Sequence, residues 1–182
     1  MATTKQHFVR RARPIGLGCV LPIVVIAATL YGVFKFSEHR HEMSFMPADL
    51  EVTGIQYSRQ QNWGSALLSL PGDNETGILM YGLPDAIANR IADEGLAFFG
   101  SPENVERRFG MQRTHSTWNE TPMGITLSDY LNQFGFGIKV DPSVEALVDD
   151  ATSKPGSFYS HGRTGVVIVI PKAKRAIYAY AG

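Results

Sequence analysis

Cysteine is nearly absent from this chain: of 182 residues, Cys19 is the only one. Everything that follows it lacks disulfide staples, cysteine-based zinc sites and a thiol nucleophile. A secreted domain of animal type and this size is commonly stapled. A bacterial periplasmic domain commonly is not, which favours the periplasm.

Acidic residues are absent from residues 1–37, where Lys5, Arg10, Arg11, Arg13 and Lys35 stand alone. All 17 acids lie in residues 38–182, beside twelve Lys and Arg, so a formal charge of zero hides a body at −5. A mildly acidic body lacks the basic face that proteins present to phosphate, so nucleic acid is not an expected partner. The glycine-rich phosphate loop, the dinucleotide-binding fingerprint and the G-x-S-x-G nucleophile elbow are all missing. There is no internal repeat. Disorder is excluded as well, because aromatics, Val and Ile are spread through a body long enough to bury a core.

What the chain does have is one long apolar run. Ile15–Phe34 is 20 residues without a charge, and about 20 residues span the hydrocarbon core of a bilayer. A lipid-attachment box needs its hydrophobic run before the cysteine, yet only Ile15–Gly18 separate Cys19 from Pro14 and the arginines. A cleavable signal needs a short apolar core and then a polar cleavage region. "VVIAA" (24–28) offers small residues, but "TLYGVFKF" continues apolar where cleavage should occur. A retained anchor over 15–36 is the expected reading, with Tyr31, Phe34 and Phe36 at interface positions and Pro22 tolerable within it. The arginine cluster places residues 1–14 in the cytoplasm by the positive-inside rule. The expected location is therefore a bacterial inner membrane with a periplasmic body. A mitochondrial inner membrane is the alternative, since the basic, acid-free N-terminus resembles a targeting sequence. Cys19 reads as a small apolar residue within the helix.

Residues 37–48 read as a polar juxtamembrane linker, and 49–182 as the domain. "LEVTGIQYS" (50–58) alternates as a strand whose phase breaks at Gly54, and "WGSALLSL" (63–70) as a second strand before the turn cluster "PGDNETG". "ILMYG" (78–82) reads as a buried strand. It leads into a helix with Pro84 and Asp85 in its first turn, Ile87 and Ile91 on one face, and Gly95 as its stop. "LAFF" (96–99) reads as a strand, and "SPENVERRFG" (101–110) as a helix capped by Ser101. Thr126 caps a helix to Gly135, "FGIKV" (136–140) reads as a strand, and Asp141 caps another helix. In the tail, Val166–Ile170 is apolar on both faces and belongs in the middle of a sheet, paired with Ile177–Tyr180 across "PKAKR". The fold class is α+β: after the transmembrane helix, a mixed, mostly antiparallel sheet with about four short helices.

Candidate chemistry is sparse. His39 and His41 lie beside Glu38 and Glu42, and two imidazoles with a carboxylate suit zinc or copper if the stretch is a strand. On a continuing helix they point apart. His161, beside Ser160 and Arg163, and His115 are the candidate bases of a hydrolase, since a spatial triad needs no linear motif. Trp63 and Trp118, in polar contexts, could bind a ligand or anchor a partner. Gly16, Gly18, Ala27, Ala28 and Gly32 are small enough for close packing of membrane helices. The expected partners are the bilayer and a membrane protein, with no cofactor. The expected role is a non-catalytic accessory or interaction subunit, with a membrane-tethered hydrolase or a ligand- or metal-binding sensor as alternatives.

Overall fold

A computed structural model describes residues 17–62, 75–100, 117–135, 137–162 and 165–181. The chain divides into two units at Arg40/His41.

The first unit is carried by helix α1, which runs Leu17–Met43 with Pro22 inside it. Its side chains are described at Pro22 and from Val24 onward, and as far as Arg40 every one of them is exposed. Thr29 donates its hydroxyl to the Val25 carbonyl at 2.8 Å, and Lys35 pairs with Glu38 at 2.6 Å. Among the described residues, no helix is long and apolar enough to cross a membrane.

The second unit is α+β, built on a six-stranded sheet. Its strands are β1 (Ile55–Asn62), β2 (Glu75–Gly82), β3 (Asn119–Glu120), β4 (Phe158–His161), β5 (Val166–Ile170) and β6 (Arg175–Tyr180). The sheet order is β1-β2-β6-β5-β4-β3. Every neighbouring pair is antiparallel, so among the described residues the sheet is not mixed. β5 and β6 occupy the middle, joined across the turn at 171–174, in the register Val166↔Ala179 to Ile170↔Arg175. The apolar run of β5 requires this place, because both of its faces are covered.

Alternation then sorts the two cores. Leu79, Tyr81, Val167, Val169, Ala176 and Tyr178 face one side, against α2 (Asp85–Glu94) and α3 (Leu96–Gly100). Ile78, Val166, Ile168, Ile170, Ile177 and Ala179 face the other, against α4 (Leu127–Leu131) and α5 (Pro142–Ser153).

The caps explain where the helices begin. Pro84 sits one position before α2 rather than inside it, and Gly95, at φ 58, ends that helix where a left-handed residue is needed. Thr126 accepts from the Asp129 amide at the start of α4, and Asp149 on α5 accepts from Leu127 N at 2.7 Å. Asp141 caps α5 by accepting from Ser143 N at 2.8 Å, with Pro142 in the first turn. The Ser143 hydroxyl, then its amide, hold the Asp141 carboxyl below the usual carboxylate range.

Several sequence expectations need correction. "LAFF" forms helix α3 and not a strand: after the Gly95 reversal the chain coils again and buries Phe98 and Phe99 against the sheet. In "FGIKV", among the described residues, 137–140 belong to no ladder, although Ile138 and Val140 rest half-buried on the second core. α4 ends at Leu131, short of Gly135, and leaves Phe134 59% exposed. The first strand starts at Ile55, and its irregularity lies between Ile55 and Tyr57, just after Gly54. Its partner is Glu75–Gly82; "WGSALLSL" and "SPENVERRFG" lie outside the described residues.

The stretch read as a linker is ordered. α1 continues to Met43, and Met46 and Leu50 are buried in the first core. Phe45 stacks on Tyr178 at 4.9 Å, and Tyr81 donates its hydroxyl to the Glu42 carbonyl at 2.7 Å.

Candidate functional site

Among the described residues, the candidate side chains do not converge. His161 ends β4, where the strand pleat turns it away from Ser160. Ser160 is fully buried and donates its hydroxyl to the Thr117 carbonyl at 2.7 Å, closing the connection to β3. His161 is exposed. Its ring lies edge-on to Tyr159 at 5.6 Å, and Tyr130 is 6.3 Å away. Among the described residues no serine or carboxylate hydrogen-bonds to it, so no nucleophile–base pair forms there. Burial pushes the Tyr130 phenol up to about 12, with a smaller contribution from Tyr178, so Tyr130 stays neutral at ordinary pH. His115 and Arg163 lie outside the described residues.

His39 and His41 are both on α1, exposed, and two residues apart, so they leave the helix on different sides. His41 packs edge-on against Phe45 at 5.0 Å. Among the described residues, no three His, Cys, Asp or Glu side chains cluster to hold a metal.

Trp118 lies half-buried on the first core, its ring stacked on Phe99 at 3.9 Å with 14° between planes. Its indole N–H is buried with no hydrogen-bond partner. This is a lid over the aromatic layer of Phe98, Phe99 and Phe158. Trp63 lies outside the described residues. Of the small residues on α1, Ala27 and Ala28 are exposed, and a Cβ added at Gly32 would meet nothing within 4 Å. Gly18 lies within the helix, and Gly16 is outside the described residues.

The sequence reading missed one concavity. A groove of about 590 Å³ runs between α2, β3, β4 and the turn at 171–174. Phe158, Pro171, Ala88 and Ala92 supply its apolar surface; Asp93, Glu94 and Glu120 supply acids, and Lys172 and Lys174 bases. Several of these charges are already engaged. Lys174 pairs with Asp85 at 2.9 Å, Glu94 with Arg90 at 3.1 Å, and Glu120 accepts from Gly156 N at 3.0 Å. The signal in the sequence was faint: alanines four apart on α2 and two lysines in one turn. Among the described residues, its lining contains no imidazole or thiol.

Comparison with protein-family models, with curated proteins and with solved structures found no match.

Proposed function

We propose that the chain is a single-pass membrane protein whose α+β body lies on the far side of the bilayer from a basic cytoplasmic N-terminus. Its role is that of a non-catalytic accessory or interaction subunit of a larger membrane complex. One observation carries this reading. Val24, Val25, Ile26, Leu30, Tyr31, Val33, Phe34 and Phe36 on α1 are each 56–65% exposed, an apolar surface far beyond what a monomer leaves in water. At ~25 cal/mol per Å², covering such a surface with lipid is strongly favourable. The described helix continues an uncharged run that begins at Ile15.

The accessory role is supported by the chemistry on the body: a buried structural serine, a histidine facing tyrosine rings, and a mixed-charge groove. The small residues Ala27, Ala28 and Gly32 would let a partner's helix approach closely. Extraction in a mild maltoside, followed by native sizing, tests the complex. A species well above the mass of one chain plus micelle is expected, and a strictly monomeric one would refute the subunit role.

A further inference from the structure

Four features of α1 converge just past its apolar surface. The last apolar residue of the uncharged run is Phe34, and Lys35, the first cation, is held by Glu38 at 2.6 Å. Arg40 has no such partner; among the described residues, no carboxylate pairs with it. Its guanidinium carbon lies 5.8 Å from the centroid of the Phe36 ring, and Phe36 itself is 63% exposed.

The spacing decides what this arrangement reaches. With 1.5 Å of rise per residue, the Arg40 Cα stands about 9 Å beyond Phe34 along the axis. The polar layer of each leaflet is only about 5–7 Å thick. Helical side chains tilt toward the N-terminus, and Arg40 follows that tilt to lie over Phe36, whose Cα is about 3 Å beyond Phe34. The charge is thus carried back from outside the headgroup layer into it. An arginine fork presented there matches two oxygens of a phosphate, a contact that an ammonium paired to Glu38 does not offer. The ring under the guanidinium keeps it in place and is itself suited to the interface.

We propose that Arg40, held over Phe36, binds the phosphate of lipid headgroups and thereby sets the depth of α1 in the bilayer. This rests on the membrane crossing proposed above. Without Arg40 the phosphate contact is lost, and Phe36 and Ser37 settle closer to the hydrocarbon.

The test uses the full chain carrying Cys19→Ser and a nitroxide at Ser37→Cys or, separately, at Val25→Cys, in phosphatidylcholine vesicles. Collisions with a water-soluble nickel complex report depth. Arg40→Gln should lower the nickel accessibility of position 37 at least twofold, leave position 25 shielded, and have no effect in maltoside micelles, which carry no phosphate. An unchanged position 37, or an equal change in micelles, would overturn the proposal. So would exposure of position 25 in Arg40→Gln alone, since Arg40 is assigned depth and not insertion. A parent chain already exposed at position 25 would instead refute the membrane crossing itself.

Discussion

Leu50→Ala measures whether the stretch after α1 belongs to the domain. Leu50 is 0% exposed, in a single 3-10 turn over Ala48–Leu50, and packs with Met46, Leu79 and Tyr81. The substitution removes three carbons, worth about 2.4 kcal/mol at ~0.8 kcal/mol each. A fully enclosed site relaxes only in part, and the residual cavity raises the cost to about 3–4 kcal/mol. For a domain of this size that lowers Tm by about 10 °C. The full chain in maltoside micelles, unfolded by heat and by urea and followed by near-ultraviolet circular dichroism, gives both quantities. Ala48→Ser, at an exposed position of the same turn, should move stability by less than about 0.5 kcal/mol. A loss below about 1 kcal/mol for Leu50→Ala would mean that residues 43–50 are a solvated connection, and the packing argument would fail.

Three further outcomes are expected. The Tyr130 phenol is pushed up to about 12 by burial, so its contribution is complete below the unfolded value near pH 10 and is lost as pH rises from about 10 through about 12. After allowance for solvent screening that contribution is no more than about 2 kcal/mol; Tyr130→Phe should flatten the alkaline limb of a stability–pH profile, and an unaltered limb would count against it. Gly165→Ala places a Cβ 2.6 Å from the Ala179 carbonyl oxygen, a backbone atom with little room to move, and should cost roughly 1–3 kcal/mol in urea unfolding; a neutral result would show that the β5–β6 edge yields. Ser160→Ala should cost about 1–2 kcal/mol by orphaning the Thr117 carbonyl, whereas His161→Ala should stay within about 0.5 kcal/mol; the reverse order would reopen a structural or chemical role for His161.

The elements readable from sequence are those in which local and tertiary signals agree. Val166–Ile170 is apolar on both faces and could only be central, and Asp141-Pro142 and Thr126 carry their caps within three residues. "LAFF" failed because two adjacent phenylalanines read as a short buried run, while the helix depends on the reversal at Gly95. "FGIKV" shows the limit of periodicity: Ile138 and Val140 pack as strand residues do, and among the described residues no strand takes up their backbone. Residues 37–48 look polar overall, and the apolar Met43, Phe45 and Met46 within them were outweighed by composition. The groove was hidden because its walls come from four elements far apart in sequence. No candidate side chain announced it.

The most direct measurement is made on cells expressing the chain, using the native thiol of Cys19. Membranes are washed with alkaline carbonate and probed with a membrane-impermeant maleimide, alongside a Cys19→Ser, Ala146→Cys chain, position 146 being exposed on α5. A bilayer-spanning 15–36 segment predicts a full-length chain retained in the pellet. Cys19 should resist the reagent until detergent is added, and position 146 should be labelled from the far side alone. Release of the chain into the carbonate supernatant, or recovery of a form shortened past Ala28, would contradict it.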